Sequence, residues 1–207
     1  MKTVLFQGDS ITDAGRSREF DDKMGMGYAT IVSGRLGLEY PGEYSFFNRG
    51  VSGNRVVDVY ARIKADILNI APDYMSLLIG VNDVWHEIRH QNGIDADKYE
   101  KIYRIIIEEI LESMPSVKIM LLEPFVLLGS ATEESWEIFD REVRLRAKRA
   151  KKIAEEFNLP FISLQDKFDE AAKLANPSYW LCDGVHPTSA GHTLIAKEWI
   201  SAFEAIR

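Results

Sequence analysis

Tyr74-Met75-Ser76-Leu77-Leu78-Ile79-Gly80-Val81-Asn82-Asp83 decides the fold of this chain. Its first six residues are almost continuously apolar, and a glycine then breaks the run. An apolar run of this length, lacking the alternation of a half-wetted strand, marks a β-strand buried on both faces of a parallel sheet. Lys118-Ile119-Met120-Leu121-Leu122 repeats the pattern, and further β-like runs lie at Thr3–Gln7, Tyr44–Asn48 and Phe161–Leu164. Between these runs the apolar spacing becomes helical. Tyr99, Ile102, Tyr103, Ile106, Ile110 and Leu111 make one stripe, leaving Lys98, Glu100, Lys101, Glu108, Glu109 and Glu112 for the wet side. Met114-Pro115 ends that helix, because proline cannot continue the hydrogen-bond ladder. A long helix is predicted from about Glu134 to Phe157, and a last one from about Ser189 to Phe203. Strands alternating with helices predict an α/β protein, a three-layer α/β/α sandwich around a five-stranded parallel sheet.

No repeat, low-complexity tract or linker interrupts the chain, so residues 1–207 are read as one domain. A hydrophobic content of 46% is ample for a core without disulfide or metal staples. The net charge of −7 argues against a nucleic-acid partner. Cys182 is the only cysteine, which excludes an intrachain disulfide and suits a reducing compartment. Val4-Leu5-Phe6 is too short for the apolar part of a signal peptide, and no stretch reaches the roughly 20 apolar residues of a membrane helix. The expectation is a soluble, cytoplasmic protein without a membrane partner.

In a parallel α/β sheet the ligand site lies beyond the carboxyl ends of the strands. Ser10 follows the first run, Gly53 the second and Asn82 the third, so all three project to one edge. Ser10, in Gly8-Asp9-Ser10-Ile11-Thr12, is a candidate nucleophile, although Gly, Asp and Ser also suit an ordinary turn and helix cap. It is not the nucleophile elbow Gly-x-Ser-x-Gly, since Thr12 stands at the second glycine position. Asp183 and His186 are three residues apart near the other end of the chain. That spacing allows the carboxylate to hold one imidazole nitrogen while the other faces the serine, the arrangement a serine needs to become nucleophilic. Acyl transfer also needs donors for the developing oxyanion. The backbone N–H groups of Ser10 and Gly53 and the side-chain amide of Asn82 are the candidates, against the alternatives of a left-handed turn at Gly53 and an Asx-turn at Asn82.

In this order Gly8-Asp9-Ser10, Gly53, Gly80-Val81-Asn82-Asp83 and Asp183-Gly184-Val185-His186 resemble the four blocks of the SGNH, or GDSL, hydrolases. The resemblance spans nearly the whole chain, with Ile11 a conservative replacement for the leucine of the motif name. It implies a flavodoxin-like fold, Ser10 as nucleophile, His186 as base, Asp183 as its partner, and an oxyanion hole from Ser10, Gly53 and Asn82. Gly-Asp-Ser-Ile-Thr-Asp, Gly-Val-Ser-Gly-Asn and Gly-Val-Asn-Asp-Val-Trp are further similar to bacterial acetyl-xylooligosaccharide esterases and related carbohydrate O-deacetylases. That similarity implies O-acetyl esters of short carbohydrates as substrates, an acyl-Ser10 intermediate, no cofactor, and a homo-oligomer. Lysophospholipase, thioesterase or aryl esterase activity is the alternative within the superfamily. A non-catalytic carbohydrate-binding protein is the alternative outside it.

Trp85 and Trp180 flank the motif blocks and are candidate sugar platforms, or else core aromatics. Arg55 either contacts substrate or pairs with an acidic neighbour. Asp9 and Asp13 are expected to satisfy loop N–H groups near Ser10. The basic run from Arg141 to Lys152 reads as a solvated, ion-paired helix face. Pro124 to Gly129 is read as core, and Cys182 beside an acid as catalytically inert. His86, His90 and His192 show no ligand-like clustering, so no metal site is expected.

Overall fold

The computed structural model describes residues 1–207. Five parallel strands form one sheet: β1 (Lys2–Gly8), β2 (Tyr44–Asn48), β3 (Tyr74–Leu78), β4 (Lys118–Leu122) and β5 (Phe161–Ile162), in the order β2-β1-β3-β4-β5. This is the flavodoxin-like order, whose direction of winding reverses between β1 and β3. Nine helices surround it: α1 (Ser10–Asp13), α2 (Tyr28–Glu39), α3 (Val56–Ala61), α4 (Val81–His90), α5 (Ala96–Ser113), α6 (Trp136–Glu156), α7 (Gln165–Ala172), α8 (Pro177–Trp180) and α9 (Ser189–Glu204). No helix is long and apolar enough to cross a membrane.

The central strands are apolar throughout because both of their faces are covered. Val4, Phe6, Leu78, Met120 and Leu122 point to one side, where they meet Tyr28 and Val32 of α2 and Trp199 and Phe203 of α9. Leu5, Met75, Leu77, Ile119 and Leu121 point to the other side, against Val59 of α3, Tyr103 and Ile107 of α5, and Ile153 of α6. Phe125, Val126 and Leu127 lie in the first of these cores, as expected of that stretch, whereas Leu128, read as core with them, is half exposed because the chain turns outward there. The result is the anticipated three-layer α/β/α sandwich.

Boundaries depart from the sequence reading where a side chain captures the backbone. β5 stops at Ile162 instead of Leu164, because Glu123 Oε2 accepts the N–H groups of Leu164 (2.7 Å) and Gln165 (2.9 Å) and turns the chain into α7. α6 begins at Trp136 because Glu133–Ser135 form a separate 3₁₀ turn. α5 starts at Ala96, where Asp95 accepts the N–H of Lys98 at 2.9 Å, and it ends before Pro115 as read. The basic face of α6 is ion-paired: Arg149 and Lys152 reach Glu100 of α5 at 3.0 and 2.7 Å, and Arg144 reaches Asp140 at 2.6 Å.

Candidate active site

The site forms where the loops after β1, β2 and β3 and the loop before α9 meet. Gly8 ends β1 in a tight space, since a Cβ there would lie 2.4 Å from both Leu78 O and Thr12 Oγ1. Asp9 then caps α1, its Oδ1 accepting the N–H of Ile11 at 3.0 Å, which makes Ser10 the first helical residue. The cap reading of this segment and its candidate chemistry therefore coexist. Asp13, at the end of α1, holds the next loop, accepting from the N–H (3.0 Å) and the hydroxyl (3.1 Å) of Ser52. Gly53 follows with φ +82°, the left-handed conformation that glycine adopts without a Cβ penalty.

The third loop is tied to the second. Asn82 donates one amide N–H to Asn54 O at 3.1 Å, while the carboxylate of Asp83 accepts the N–H of Val56 at 3.1 and 3.2 Å. Asp83 is fully buried, and burial raises its pKa well above the usual carboxylate value against the opposing Val56 bond. These bonds fix Gly53 and Asn82 relative to each other.

The fourth segment is a narrow turn closed by an antiparallel bridge between Leu181 and Pro187. Within it Asp183 Oδ1 accepts the N–H groups of Val185 (2.9 Å) and His186 (2.8 Å), and Oδ2 lies 2.7 Å from His186 Nδ1. His186 Nε2 lies 2.9 Å from Ser10 Oγ. Burial pushes the Asp183 carboxyl up, but the His186 ring and the two backbone donors outweigh it and hold the pKa at about 2. The same hydrogen bond raises the His186 pKa above its ordinary value, with burial opposing. The carboxylate is thus ionised at neutral pH and fixes Nδ1 as the protonated nitrogen, so Nε2 presents a lone pair to Ser10. Asp9, completely buried one residue before Ser10, has a pKa raised to about 7 by that burial.

Ser10, Ser52, Gly53, Asn82, Trp85, His86, His90 and His186 line a cleft of about 330 Å³. A larger hollow of about 480 Å³ behind α4, walled by Glu87, Lys98 and Arg146, contains none of the Ser10, Asp183 or His186 side chains. Of the three candidate substrate contacts only Trp85 reaches the cleft, its ring centroid 5.8 Å from that of His186. Trp180 instead packs against the apolar core and Tyr179. Arg55 forks onto Asp58 at 2.9 and 3.1 Å and donates to Asn92 O at 2.7 Å, which draws it off the cleft wall. Neither Trp180 nor Arg55 lines the site.

His86 and His90, by contrast, carry no expected role in the sequence reading and do line the cleft. Their signal is the helical repeat Asn82, His86, His90, legible once α4 is known to begin at Val81. His192 is structural. It is buried, its Nδ1 accepts the N–H of Tyr28 at 3.2 Å, and burial lowers its pKa to about 4.

Known proteins share this architecture. The chain is 36% identical to an acetylxylan esterase from Geobacillus stearothermophilus, over 99% of this chain and 95% of that protein. A solved structure of that acetylxylan esterase superposes with a TM-score of 0.87 at 33% identity, covering 97% of this chain and 93% of the other. Two other structures of it are of catalytic mutants, one with a serine and one with an aspartate replaced by alanine. A GDSL-like protein from Parabacteroides merdae superposes with a TM-score of 0.93 at 38% identity, covering 98% of this chain and 95% of its own. The family described as GDSL-like lipase/acylhydrolase matches residues 6–194. With its relatives and its sheet order in agreement, the chain belongs to the GDSL-like lipase/acylhydrolase family and is a carboxylic ester hydrolase.

Proposed function

We propose that Ser10, His186 and Asp183 are the catalytic triad of an esterase that removes acetyl groups from short carbohydrates. The observation that carries this reading is the unbroken chain from Asp183 Oδ2 through His186 to Ser10 Oγ, at 2.7 and 2.9 Å. Ser10 Oγ attacks the ester carbonyl as its proton passes to His186 Nε2. The carbonyl oxygen becomes an oxyanion, which the Ser10 and Gly53 N–H groups and the Asn82 amide stabilise. The bond to the sugar oxygen then breaks, and His186 returns the proton to that oxygen. A water, deprotonated by the same nitrogen, attacks the acyl carbonyl, releases acetate and restores the Ser10 hydroxyl. Asp183 stays ionised throughout and stabilises the imidazolium.

Two further observations support a sugar acetate. Trp85 stands beside His186, the group that must reach the departing oxygen, and an indole face suits the C–H face of a sugar ring. The relative from Geobacillus stearothermophilus is an acetylxylan esterase. The test is acetate release from a panel of acetylated xylo-, gluco- and manno-oligosaccharides, with Ser10→Ala as the blank. Release from at least one sugar class, absent from the blank, is expected. Turnover only of long-chain acyl esters or thioesters would replace the sugar reading with a lipid or thioester one.

A further inference from the structure

His86-Glu87-Ile88-Arg89-His90 lies wholly within α4. A His-Glu-x-x-His sequence on a helix places its two imidazoles one turn apart on the same face, where they can share a metal ion. The two ring centroids are 5.9 Å apart. With metal–nitrogen bonds of about 2.0–2.1 Å, two rings on one tetrahedral ion stand roughly 5 Å apart, so a small side-chain rotation closes the difference. Both rings are available. The nitrogens of His186 and His192 are engaged by Asp183, Ser10 and the Tyr28 N–H, whereas neither His86 nor His90 makes a side-chain hydrogen bond within the chain. His90 is exposed and His86 half-buried, so an ion can enter from solvent.

The electrostatics permit a cation. The Arg55 charge is countered by its fork to Asp58, and Asp58 also acts on His86 as an opposite charge. The remaining motif residue does not join the pair. Glu87 accepts the N–H of Gly93 at 3.0 Å and faces the hollow behind α4. No group of three or more His, Cys, Asp or Glu side chains is gathered anywhere in the molecule. The geometry is therefore that of a two-ligand clamp completed by water, without the third ligand and the glutamate base of a metal-dependent hydrolase.

We propose that His86 and His90 bind a divalent transition-metal ion of the zinc class at the mouth of the Ser10 cleft, and that the bound ion obstructs the ester. His86 Nε2 lies 3.9 Å from the position a Gly53 Cβ would occupy, so an ion on this pair sits over the loop that supplies an oxyanion donor. The proposal runs against the sequence expectation of no metal site, and the titration below decides between them. The obstruction rests on the Ser10 reading of the cleft, while the binding does not.

The test is calorimetric titration of Zn²⁺ into the full chain carrying Cys182→Ser, which removes the single exposed thiol as a competing ligand. One ion per chain is expected, with affinity weakened at least tenfold by His90→Gln and, separately, by His86→Gln. Co²⁺ and Ni²⁺ should bind with Ni²⁺ the tighter, and Mg²⁺ should not bind. Hydrolysis of a small aryl acetate, expressed relative to each variant's own metal-free rate, should be inhibited with a midpoint that follows the calorimetric affinity. Absence of Zn²⁺ binding, or binding indifferent to both substitutions, would overturn the site. Binding that leaves hydrolysis unaffected would overturn the obstruction. Zn²⁺-stimulated hydrolysis surviving in Ser10→Ala would overturn both the obstruction and the serine reading. Loss of all hydrolysis in Ser10→Ala with Zn²⁺ binding intact leaves both standing.

Discussion

Replacing Asp183 with asparagine changes a few atoms and tests the direction of proton flow. Oδ1 of Asp183 accepts two backbone N–H groups, from Val185 and His186, and an amide oxygen can keep both. Those bonds orient the new side chain, so its NH₂ replaces Oδ2 and faces His186 Nδ1, 2.7 Å away in the native protein. The NH₂ can only donate, so Nδ1 must give up its proton and Nε2 must carry one. Nε2 then donates toward Ser10 Oγ when it needs to accept. The lost charge-assisted bond alone contributes about 1.5–3 kcal/mol, or roughly 10- to 150-fold in rate. The wrong tautomer takes the total toward about 10⁴-fold in kcat. Initial rates on an aryl acetate at pH 7.5 should therefore fall by about 10³ to 10⁴ with little change in KM, and the circular dichroism spectrum should be unchanged. A folded Asp183→Asn protein within tenfold of native kcat would refute the triad reasoning.

The pH profile follows from the same bond. His186 must be neutral to accept a proton, and its pKa is raised by the Asp183 hydrogen bond, so kcat/KM should fall on the acid side with a limb above the ordinary imidazole value of about 6.5. Asp9 adds to that rise from beside Ser10, so Asp9→Asn should move the limb to lower pH, and an unmoved limb contradicts the coupling. Gly8→Ala would drive a methyl to 2.4 Å from Leu78 O, and urea unfolding should show a loss of about 1–3 kcal/mol typical of overpacking; a neutral result would mean that β1 and β3 yield there. His192 has a native pKa of about 4 and an ordinary unfolded one, so between those values the unfolded chain binds the extra proton and stability falls with falling pH. His192→Gln should reduce the stability difference between pH 7.5 and pH 5 by about 2 kcal/mol, measured by urea unfolding, and an unchanged difference would contradict the buried neutral ring.

What was legible in the sequence depended on how local each signal was. The sheet could be read because Tyr74–Ile79 and Lys118–Leu122 are apolar on both faces, which only a doubly covered strand requires. The gathering of Ser10, Gly53 and Asn82 could be read because each follows a strand, and parallel strands deliver their following loops to one edge. The side chains around that edge were less legible. For Arg55 the sequence offers both a substrate contact and an acidic partner, and the partner prevails because Asp58 sits one helical turn on and captures it. Trp180 is three residues from Asp183, yet the bridge from Leu181 to Pro187 turns the chain between them. His86 and His90 were missed because α4 itself was not read. Its first residues, Val81-Asn82-Asp83, have the composition of a turn, and without the helix the spacing of the two histidines carries no geometry.

The most direct test of the central claim is covalent. A phosphonate ester that mimics the tetrahedral intermediate should add once per chain, as seen in the intact mass, and the adduct should map to Ser10. Ser10→Ala should abolish it, and Asp183→Asn should slow its formation by orders of magnitude, since the attacking oxygen is activated through His186. No adduct, or an adduct on another residue that persists in Ser10→Ala, would contradict the assignment of Ser10 as the nucleophile.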